Sequence, residues 1–147
     1  MEKIITNNEK ETISLGQKLG KICRGGEVFV LSGNLGAGKT KLLQGLAKGL
    51  GVKERVNSPT FNILKIYKIN KSNNLLNRGV KVFCHIDAYR LESDKDLISL
   101  GISEFFNQPE VVTAIEWAEK VKKIWPKKAR VIKIKSLTEK KREIIIK

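Results

Sequence analysis

The chain has 147 residues, with 29 Lys and Arg against 15 Asp and Glu, and a formal net charge of +14. This length allows one domain with a real hydrophobic core and excludes a separate substrate domain, so we expect a single domain over residues 1–147. The N-terminal segment carries charges every few residues and has no apolar run long enough for a signal peptide or a membrane span. A cytoplasmic protein with no membrane contact is therefore expected.

The high positive charge of the chain does not by itself identify a partner. A basic surface suits a nucleic acid or an acidic protein, but the lysines are spread over the whole chain without interleaved aromatic residues. A solvated lysine-rich surface is the simpler interpretation, and direct RNA contact stays open.

Cys23 and Cys84 lie far apart in apolar segments, outside any C-x-x-C spacing, which predicts buried reduced thiols and neither a disulfide nor a metal cluster.

The first half of the chain predicts a helix, a strand and a second helix. Apolar residues at helical spacing indicate a helix over about residues 8–23, with Asn7 or Asn8 as its N-cap. The run EVFVLS indicates a buried strand. Apolar residues at helical spacing then return after Thr40 and end at Gly51.

Between that strand and the second helix lies SGNLGAGKT, Ser32–Thr40, which satisfies the pattern G-x-x-x-x-G-K-[ST]. Glycines let such a loop curl with its N–H groups pointing inward, so that several donors and a helix N-terminus converge on a polyphosphate. Lys39 can reach the β- and γ-phosphates, and the Thr40 hydroxyl is suited to Mg²⁺. The segment therefore predicts a Mg²⁺–nucleoside triphosphate site with a cradle formed by Gly33, Asn34, Leu35, Gly36, Ala37 and Gly38.

The second half of the chain is rich in strands. FNILKIYKI and VKVFCHI flank the polar segment NKSNNLLNRG and predict two adjacent strands. LESDKDLISLGISEFF indicates helical turns, VVTAIEW a buried strand, and AEKVKKIW a helix that stops before Pro126. ARVIKIK and REIIIK predict a closing hairpin. The expected fold class is α/β, a three-layer P-loop NTPase-like fold with a mixed, mainly parallel central sheet and a C-terminal hairpin.

A P-loop needs an acidic partner at the end of a neighbouring strand, and two acids qualify. Asp87 ends VKVFCHID, and Glu116 ends VVTAIE. Either carboxylate can hold Mg²⁺ or orient the attacking water, and either can instead cap the following helix. The stronger apolar run precedes Glu116, so we favour Glu116 as the metal-side acid with Asp87 in support.

Three further features each leave two interpretations open. The segment NSPTF, 57–61, offers the Ser58 and Thr60 hydroxyls to phosphate or metal, or forms a plain turn. His85, the only histidine, is either a sheet-face imidazole or a catalytic or switching group. Trp117 is either a core residue or an aromatic lid beside the site.

The motifs GNLGAGKT, SPTF, HIDAYRL and IEW, in this order after an ETISLGQKLG helix, closely resemble the TsaE (formerly YjeE) family of bacterial P-loop ATPases, from about residue 9 to residue 135. The resemblance implies an ATPase that helps make threonylcarbamoyladenosine in tRNAs reading ANN codons. It implies docking on the TsaD and TsaB proteins, of which TsaD transfers the group, with tRNA contacted indirectly or weakly. ATP and Mg²⁺ are the implied cofactors, and hydrolysis by the isolated chain should be slow.

The resemblance also assigns roles to residues. Lys39 and Thr40 become the phosphate and Mg²⁺ residues and Glu116 the second Mg²⁺ ligand, while Asp87 and Thr60 become catalytic or switch residues. The remaining assignments are nucleotide-side contacts, namely Trp117, the Glu9–Thr12 region and, as a candidate, Arg142. The chain departs from the family in having Asn34 for the usual Asp and Lys41 for a second Thr.

Other functions compete with this interpretation. A GTPase is disfavoured because NKSN, Asn70–Asn73, ends in Asn where guanine recognition needs Asp, and DAYR lacks a switch glycine. A small-molecule kinase fits the chain length but would need an Arg-rich lid. A basic RNA-binding module with a vestigial nucleotide site is the third alternative.

Overall fold

The structure, a computed structural model, describes residues 1–59, 61–69 and 79–147. Its strands are β1 (Glu2–Thr6), β2 (Val28–Ser32), β3 (Leu64–Lys68), β4 (Val82–Asp87), β5 (Val111–Glu116), β6 (Arg130–Ser136) and β7 (Arg142–Ile146). Its helices are α1 (Glu9–Ile22), α2 (Lys39–Leu50) and α3 (Asp94–Ser99), with 3-10 helices at Ile102–Phe105 and Ala118–Ile124. None of these helices is both long and apolar enough to cross a membrane.

The strands form one mixed sheet in the order β1-β7-β6-β2-β5-β4-β3. The four strands β6, β2, β5 and β4 run parallel, while β3 at one end and the β7–β1 pair at the other run antiparallel to their neighbours. The central strands β2 and β5 read as continuous apolar runs because both of their faces are covered. The predicted α/β fold with a mixed sheet and a β6–β7 hairpin is confirmed.

Two hydrophobic cores lie on opposite faces of the sheet. One lies under α1 and α2 and contains Cys23, and the other lies under α3 and the 3-10 helices and contains Cys84. Both cysteines are free and buried, as predicted. Burial raises the pKa of each thiol to about 12, so both stay neutral and unreactive near neutral pH.

Helices α1 and α2 approach each other at backbone distance. A Cβ added to Gly16 would lie 2.0 Å from the Leu42 carbonyl oxygen, and one added to Gly45 would lie 2.0 Å from the Ile13 carbonyl oxygen. Only glycine fits at such a crossing. The contact brings the beginning of α1, capped by the Asn8 side chain, beside the beginning of α2.

The N-terminal strand β1 was not predicted. Glu2–Thr6 pairs antiparallel with β7 and extends the sheet beyond the C-terminal hairpin. The strand is five residues long and mostly exposed, so its sequence has only a short apolar pair to mark it. It acts as the last edge of the sheet.

The helix predicted in AEKVKKIW is present and ends before Pro126, but it is a 3-10 helix and not an α-helix. The structure has 3-10 turns over Ala118–Ile124, interrupted at Val121, where φ is −130° and ψ is 39°. Trp117 precedes them in the left-handed conformation and offers no side-chain cap. The buried Val121 breaks the helical repeat that the sequence pattern had indicated.

Candidate functional site

A cavity of about 1030 Å³ lies where β2, β4 and β5 end, at the carboxyl edge of the parallel strands. Open α/β sheets commonly bind ligands at this edge. Its floor is the loop after β2 and the start of α2, its walls are the beginning of α1 and the ends of β4 and β5, and the β6–β7 turn lies at its rim.

The loop between β2 and α2 has the curled backbone that its glycines predict. Gly33 has φ of 150°, and a Cβ there would lie 2.3 Å from the Ile134 carbonyl oxygen. Gly38 adopts the left-handed conformation at the N-cap of α2, with φ of 103°. The helix therefore begins at Lys39 without a side-chain cap, and its first residues line the cavity, where helix N-termini commonly bind anions.

Lys39 is 4% exposed and is held by the loop that precedes it. Its ammonium Nζ donates to the Gly33 carbonyl at 2.6 Å and the Asn34 carbonyl at 3.1 Å. The same atom lies 3.7 Å from the ring centroid of Trp117. Burial lowers the pKa of Lys39, while the neighbouring carboxylates, Glu116 foremost, oppose that shift.

Thr40 and Glu116 meet at the end of β5. The Thr40 hydroxyl Oγ1 donates to both carboxylate oxygens of Glu116, at 3.0 Å from Oε1 and 2.9 Å from Oε2. Glu116 is buried, and on the neighbouring strand it pairs in register with Asp87. This oxygen-only set suits Mg²⁺. Within the described residues no group of three His, Cys, Asp or Glu can hold a metal, and Mg²⁺ commonly completes its shell with water or substrate phosphate oxygens.

Asp87 is tied to two other segments. The Ser58 hydroxyl donates to its Oδ2, and the Tyr89 N–H donates to its Oδ1 at 2.9 Å. Ser58 thus contacts the acid at the end of β4. Thr60, the predicted switch residue, lies outside the described residues, so its role stays a prediction.

His85 precedes Asp87 by two residues on β4, so the two side chains lie on the same face of the sheet. It is fully buried, and its Nε2 lies 2.9 Å from Glu116 Oε1. The open question left by the sequence is thus resolved in part, because the imidazole faces the core and also contacts the predicted metal-side acid.

The opposite wall of the cavity is formed by α1. Glu9 and Thr12 line it, and the Glu9 carboxylate pairs with the Lys41 ammonium at 2.7 Å. Lys41, the departure noted in the sequence, therefore adds a cation to the wall and is held there by an exposed acid.

Arg142 joins the hairpin to the loop between β2 and α2. Its Nη1 donates to the carbonyls of Thr138, Glu139 and Lys141, each at 3.0 Å, and its Nη2 lies 3.4 Å from the Gly36 carbonyl oxygen. The side chain holds the β6–β7 turn at the cavity rim.

Most of the predicted site residues thus meet around one cavity. Its lining includes Glu9, Leu35, Gly36, Ala37, Gly38, Lys39, Thr40, Asp87, Glu116, Trp117 and Arg142. Gly33 and Asn34 do not line it but turn their carbonyls toward Lys39. Trp117 packs against the core and also lines the cavity, so its two interpretations are not exclusive.

Comparison with known proteins decides the family. A family model described as threonylcarbamoyl adenosine biosynthesis protein TsaE matches residues 6–144. The chain belongs to the TsaE family. The resemblance inferred from the four motifs is therefore confirmed, and it places the chain among proteins of tRNA threonylcarbamoyladenosine biosynthesis.

Relatives in the TsaE family match almost the whole chain. The tRNA threonylcarbamoyladenosine biosynthesis protein TsaE of Bacillus subtilis is 37% identical over 139 residues, covering 95% of this chain and 80% of the relative. That of Treponema pallidum is 33% identical over 144 residues, covering 98% of each. The crystal structure of YdiB from Bacillus subtilis superposes with a TM-score of 0.77 at 32% identity, over 99% of this chain and 83% of that one.

Some cavity residues of this TsaE-family chain were not identified from the sequence. Tyr89 lines the wall and contacts the Trp117 ring at a centroid distance of 5.0 Å. Glu139 and Lys140 reach the rim from the β6–β7 turn. The spacing of Tyr89 two residues after Asp87 was a usable signal, but nothing local marks the turn as part of the site.

Proposed function

We propose that the cavity binds Mg²⁺–ATP and hydrolyses it slowly, in support of threonylcarbamoyladenosine formation in tRNAs reading ANN codons. The chain would act in the cytoplasm on a complex of TsaD and TsaB, which carries out the transfer. The observation that carries the nucleotide part is the convergence of Lys39, the open N-terminus of α2 and the Thr40–Glu116 pair on one cavity.

Each residue has a distinct task in this proposal. Mg²⁺–ATP, when bound, supplies a γ-phosphoryl group activated for transfer to water. Lys39 and the first N–H groups of α2 would donate to the phosphate oxygens. The Thr40 hydroxyl and the Glu116 carboxylate would hold the metal. Asp87 orients the attacking water, held in place by the Ser58 hydroxyl and the Tyr89 N–H.

We expect slow hydrolysis because Arg142, at the cavity rim, is already bound by backbone carbonyls. The guanidinium of Arg142 is held by three carbonyls of the hairpin turn. It is therefore engaged in structure and is not poised as an arginine finger on the γ-phosphate. A partner that adds a cation or changes the conformation of the loop between β2 and α2 would accelerate ATP hydrolysis. Hydrolysis in this cavity would then control when the partner complex acts.

The pathway part of the proposal rests on the family. The relatives in Bacillus subtilis and Treponema pallidum are both named for tRNA threonylcarbamoyladenosine biosynthesis. The TsaD and TsaB partners, the ANN-codon tRNAs and the ATPase activity come from the motif resemblance. All of them are inferences for this chain.

The nucleotide site is tested by calorimetric ATP binding with Mg²⁺ and by phosphate release. Lys39→Ala should weaken ATP binding by about 10- to 100-fold, the usual worth of hydrogen bonds to a charged group. Glu116→Ala should reduce hydrolysis more than binding, because its oxygens serve the metal. Lys48→Ala, which removes an exposed lysine from the last turn of the same helix, is the matched control and should behave as wild type.

If both Lys39→Ala and Glu116→Ala bind and hydrolyse ATP as the wild type does, the assignment of the nucleotide site to this cavity is wrong. Transfer of the γ-phosphate to a small-molecule acceptor, with Mg²⁺–ATP bound in this cavity, would favour the kinase alternative over an accessory ATPase.

A further inference from the structure

The contact between His85 and Glu116 lies in the sheet core, behind the cavity. The two side chains are 0% and 3% exposed, and His85 Nε2 lies 2.9 Å from Glu116 Oε1. His85 is absent from the cavity lining, whereas Glu116 lines it. The imidazole therefore contacts the carboxylate from outside the cavity lining.

The direction of this hydrogen bond follows from the chemistry of its partners. A carboxylate offers only acceptors, so Nε2 must carry the proton and donate. Among the described residues Nδ1 has no hydrogen-bond partner. Within the described part of the chain, the ring thus makes its one hydrogen bond with Glu116 and satisfies its buried Nε2 there.

The imidazole is also fixed in place. His85 pairs across the strands with Ala114, two residues before Glu116, and both side chains lie on the same face of the sheet. Its ring stacks on Phe83 with centroids 6.0 Å apart and an interplanar angle of 25°. Rotating the ring away from Glu116 would require opening this core, so the donor position is rigid.

We propose that His85 is a positioning residue for magnesium: it holds Glu116 Oε1 so that the carboxylate stays directed at the Thr40 hydroxyl, the residue with which it would hold the metal. This inference rests on the proposed Mg²⁺–nucleotide function. Without the donor, Glu116 can rotate about its side-chain bonds, and the oxygens that now converge with Thr40 Oγ1 lose their fixed arrangement. Ligating carboxylates are commonly held in this way, and loss of the holding group typically costs 10- to 100-fold in metal affinity.

Two substitutions test the role. His85→Phe keeps an aromatic ring beside Phe83 but has no donor, and His85→Gln keeps an amide donor near the place of Nε2. ATP binding is measured as Mg²⁺ is titrated, and again with the metal chelated. His85→Phe should need about 10- to 100-fold more Mg²⁺ while metal-free ATP binding stays within about twofold of wild type, and His85→Gln should recover most of the loss.

A purely structural role predicts a different result. Loss of packing would weaken binding with and without Mg²⁺ alike, and His85→Gln would be no better than His85→Phe. Either outcome overturns the proposal, as does an unchanged Mg²⁺ requirement in His85→Phe. If the wild-type chain itself binds no Mg²⁺–ATP, the proposed function fails first, so the two failures are distinguishable.

A second measurement needs no variant. His85 is the only histidine in the chain, so nitrogen-15 NMR of the imidazole gives one pair of ring signals without assignment by mutation. We expect a proton on Nε2, with Mg²⁺ added to the ATP complex shifting the Nε2 signal more than the Nδ1 signal. A proton on Nδ1 with bare Nε2, or signals indifferent to Mg²⁺, would refute the positioning role even if ATP binds.

Discussion

Lys39 is held, in the free protein, by groups that a triphosphate would replace. Its Nζ contacts two loop carbonyls and the Trp117 ring, which are neutral acceptors for a buried ammonium. Burial lowers its pKa below the ordinary lysine value of 10.5. A bound polyphosphate would favour the ammonium and raise that pKa again.

Because nucleotide binding would raise the pKa of Lys39 again, we expect a proton to be taken up when the nucleotide binds. As the pH rises through the lowered pKa, free Lys39 loses its proton, so ATP affinity should fall and binding should draw a proton from the buffer. Calorimetry in two buffers of different ionisation enthalpy, repeated as the pH is raised toward the ordinary lysine value of 10.5, measures the uptake. We expect up to about one proton per nucleotide, rising with pH.

The Lys48→Ala protein should show the same uptake, because that lysine is exposed and lies at the far end of α2. The same proton affects folding stability. Because the pKa of Lys39 is lowered in the folded protein, the unfolded chain binds the proton more tightly. The contribution of Lys39 to the free energy of unfolding therefore rises as the pH rises through this range. Binding without proton uptake throughout the range would contradict the assignment of Lys39 to phosphate.

Among individual residues, the sequence predicted those that belong to a local motif or stand at the end of an apolar strand. Lys39 and Thr40 follow from the loop pattern, and Asp87 and Glu116 from their places at the ends of apolar runs. The contact between His85 and Glu116 was not predictable, because alternation along β4 shows the side that His85 faces but not its partner on β5. That partner depends on the register of two strands separated in the chain by α3 and its loops.

The elements show the same division between local and distant information. Helix α1, the β3–β4 and β6–β7 pairs and the buried strands β2 and β5 carry strong periodic signals and appear where predicted. Strand β1 has little pattern of its own and exists because the edge of β7 is available to it. The segment Ala118–Ile124 has a helical apolar pattern that the left-handed Trp117 and the kink at Val121 override.

The crossing of α1 and α2 gives a prediction at the element scale. On an exposed helix face, changing Gly to Ala usually stabilises by about 0.5–1 kcal/mol. Gly45→Ala should do the opposite and lower the free energy of unfolding by about 2–4 kcal/mol, since its Cβ would lie 2.0 Å from the Ile13 carbonyl oxygen and force the helices apart.

Urea unfolding monitored by circular dichroism measures this change. Ser14→Ala, on the exposed face of α1, is the control and should shift the free energy of unfolding by less than about 0.5 kcal/mol. Because the same crossing sets Glu9 beside Lys41, Gly45→Ala should also weaken ATP binding where the protein remains folded. A Gly45→Ala protein as stable as wild type would mean that the helices do not pack at the distance seen here.

For the whole molecule, the decisive feature is the strand order. Placing β2 between β6 and β5, with β4 beyond β5, brings the phosphate loop and the two acids to one edge of the sheet. The sequence predicted the class of this sheet, because strands and helices alternate around a P-loop, but not the attachment of β1 beside β7, which depends on contacts between the two ends of the chain. The charge of +14 identified neither the site nor a partner.

The most direct test is a count of threonylcarbamoyladenosine formed per partner complex, with TsaD, TsaB, tRNA and Mg²⁺–ATP and with either the wild-type chain or Lys39→Ala. We expect the wild-type chain to support many rounds of modification and Lys39→Ala to stop near the yield obtained without this chain. Equal yields from the wild-type and Lys39→Ala proteins would contradict the proposal that nucleotide in this cavity drives the modification.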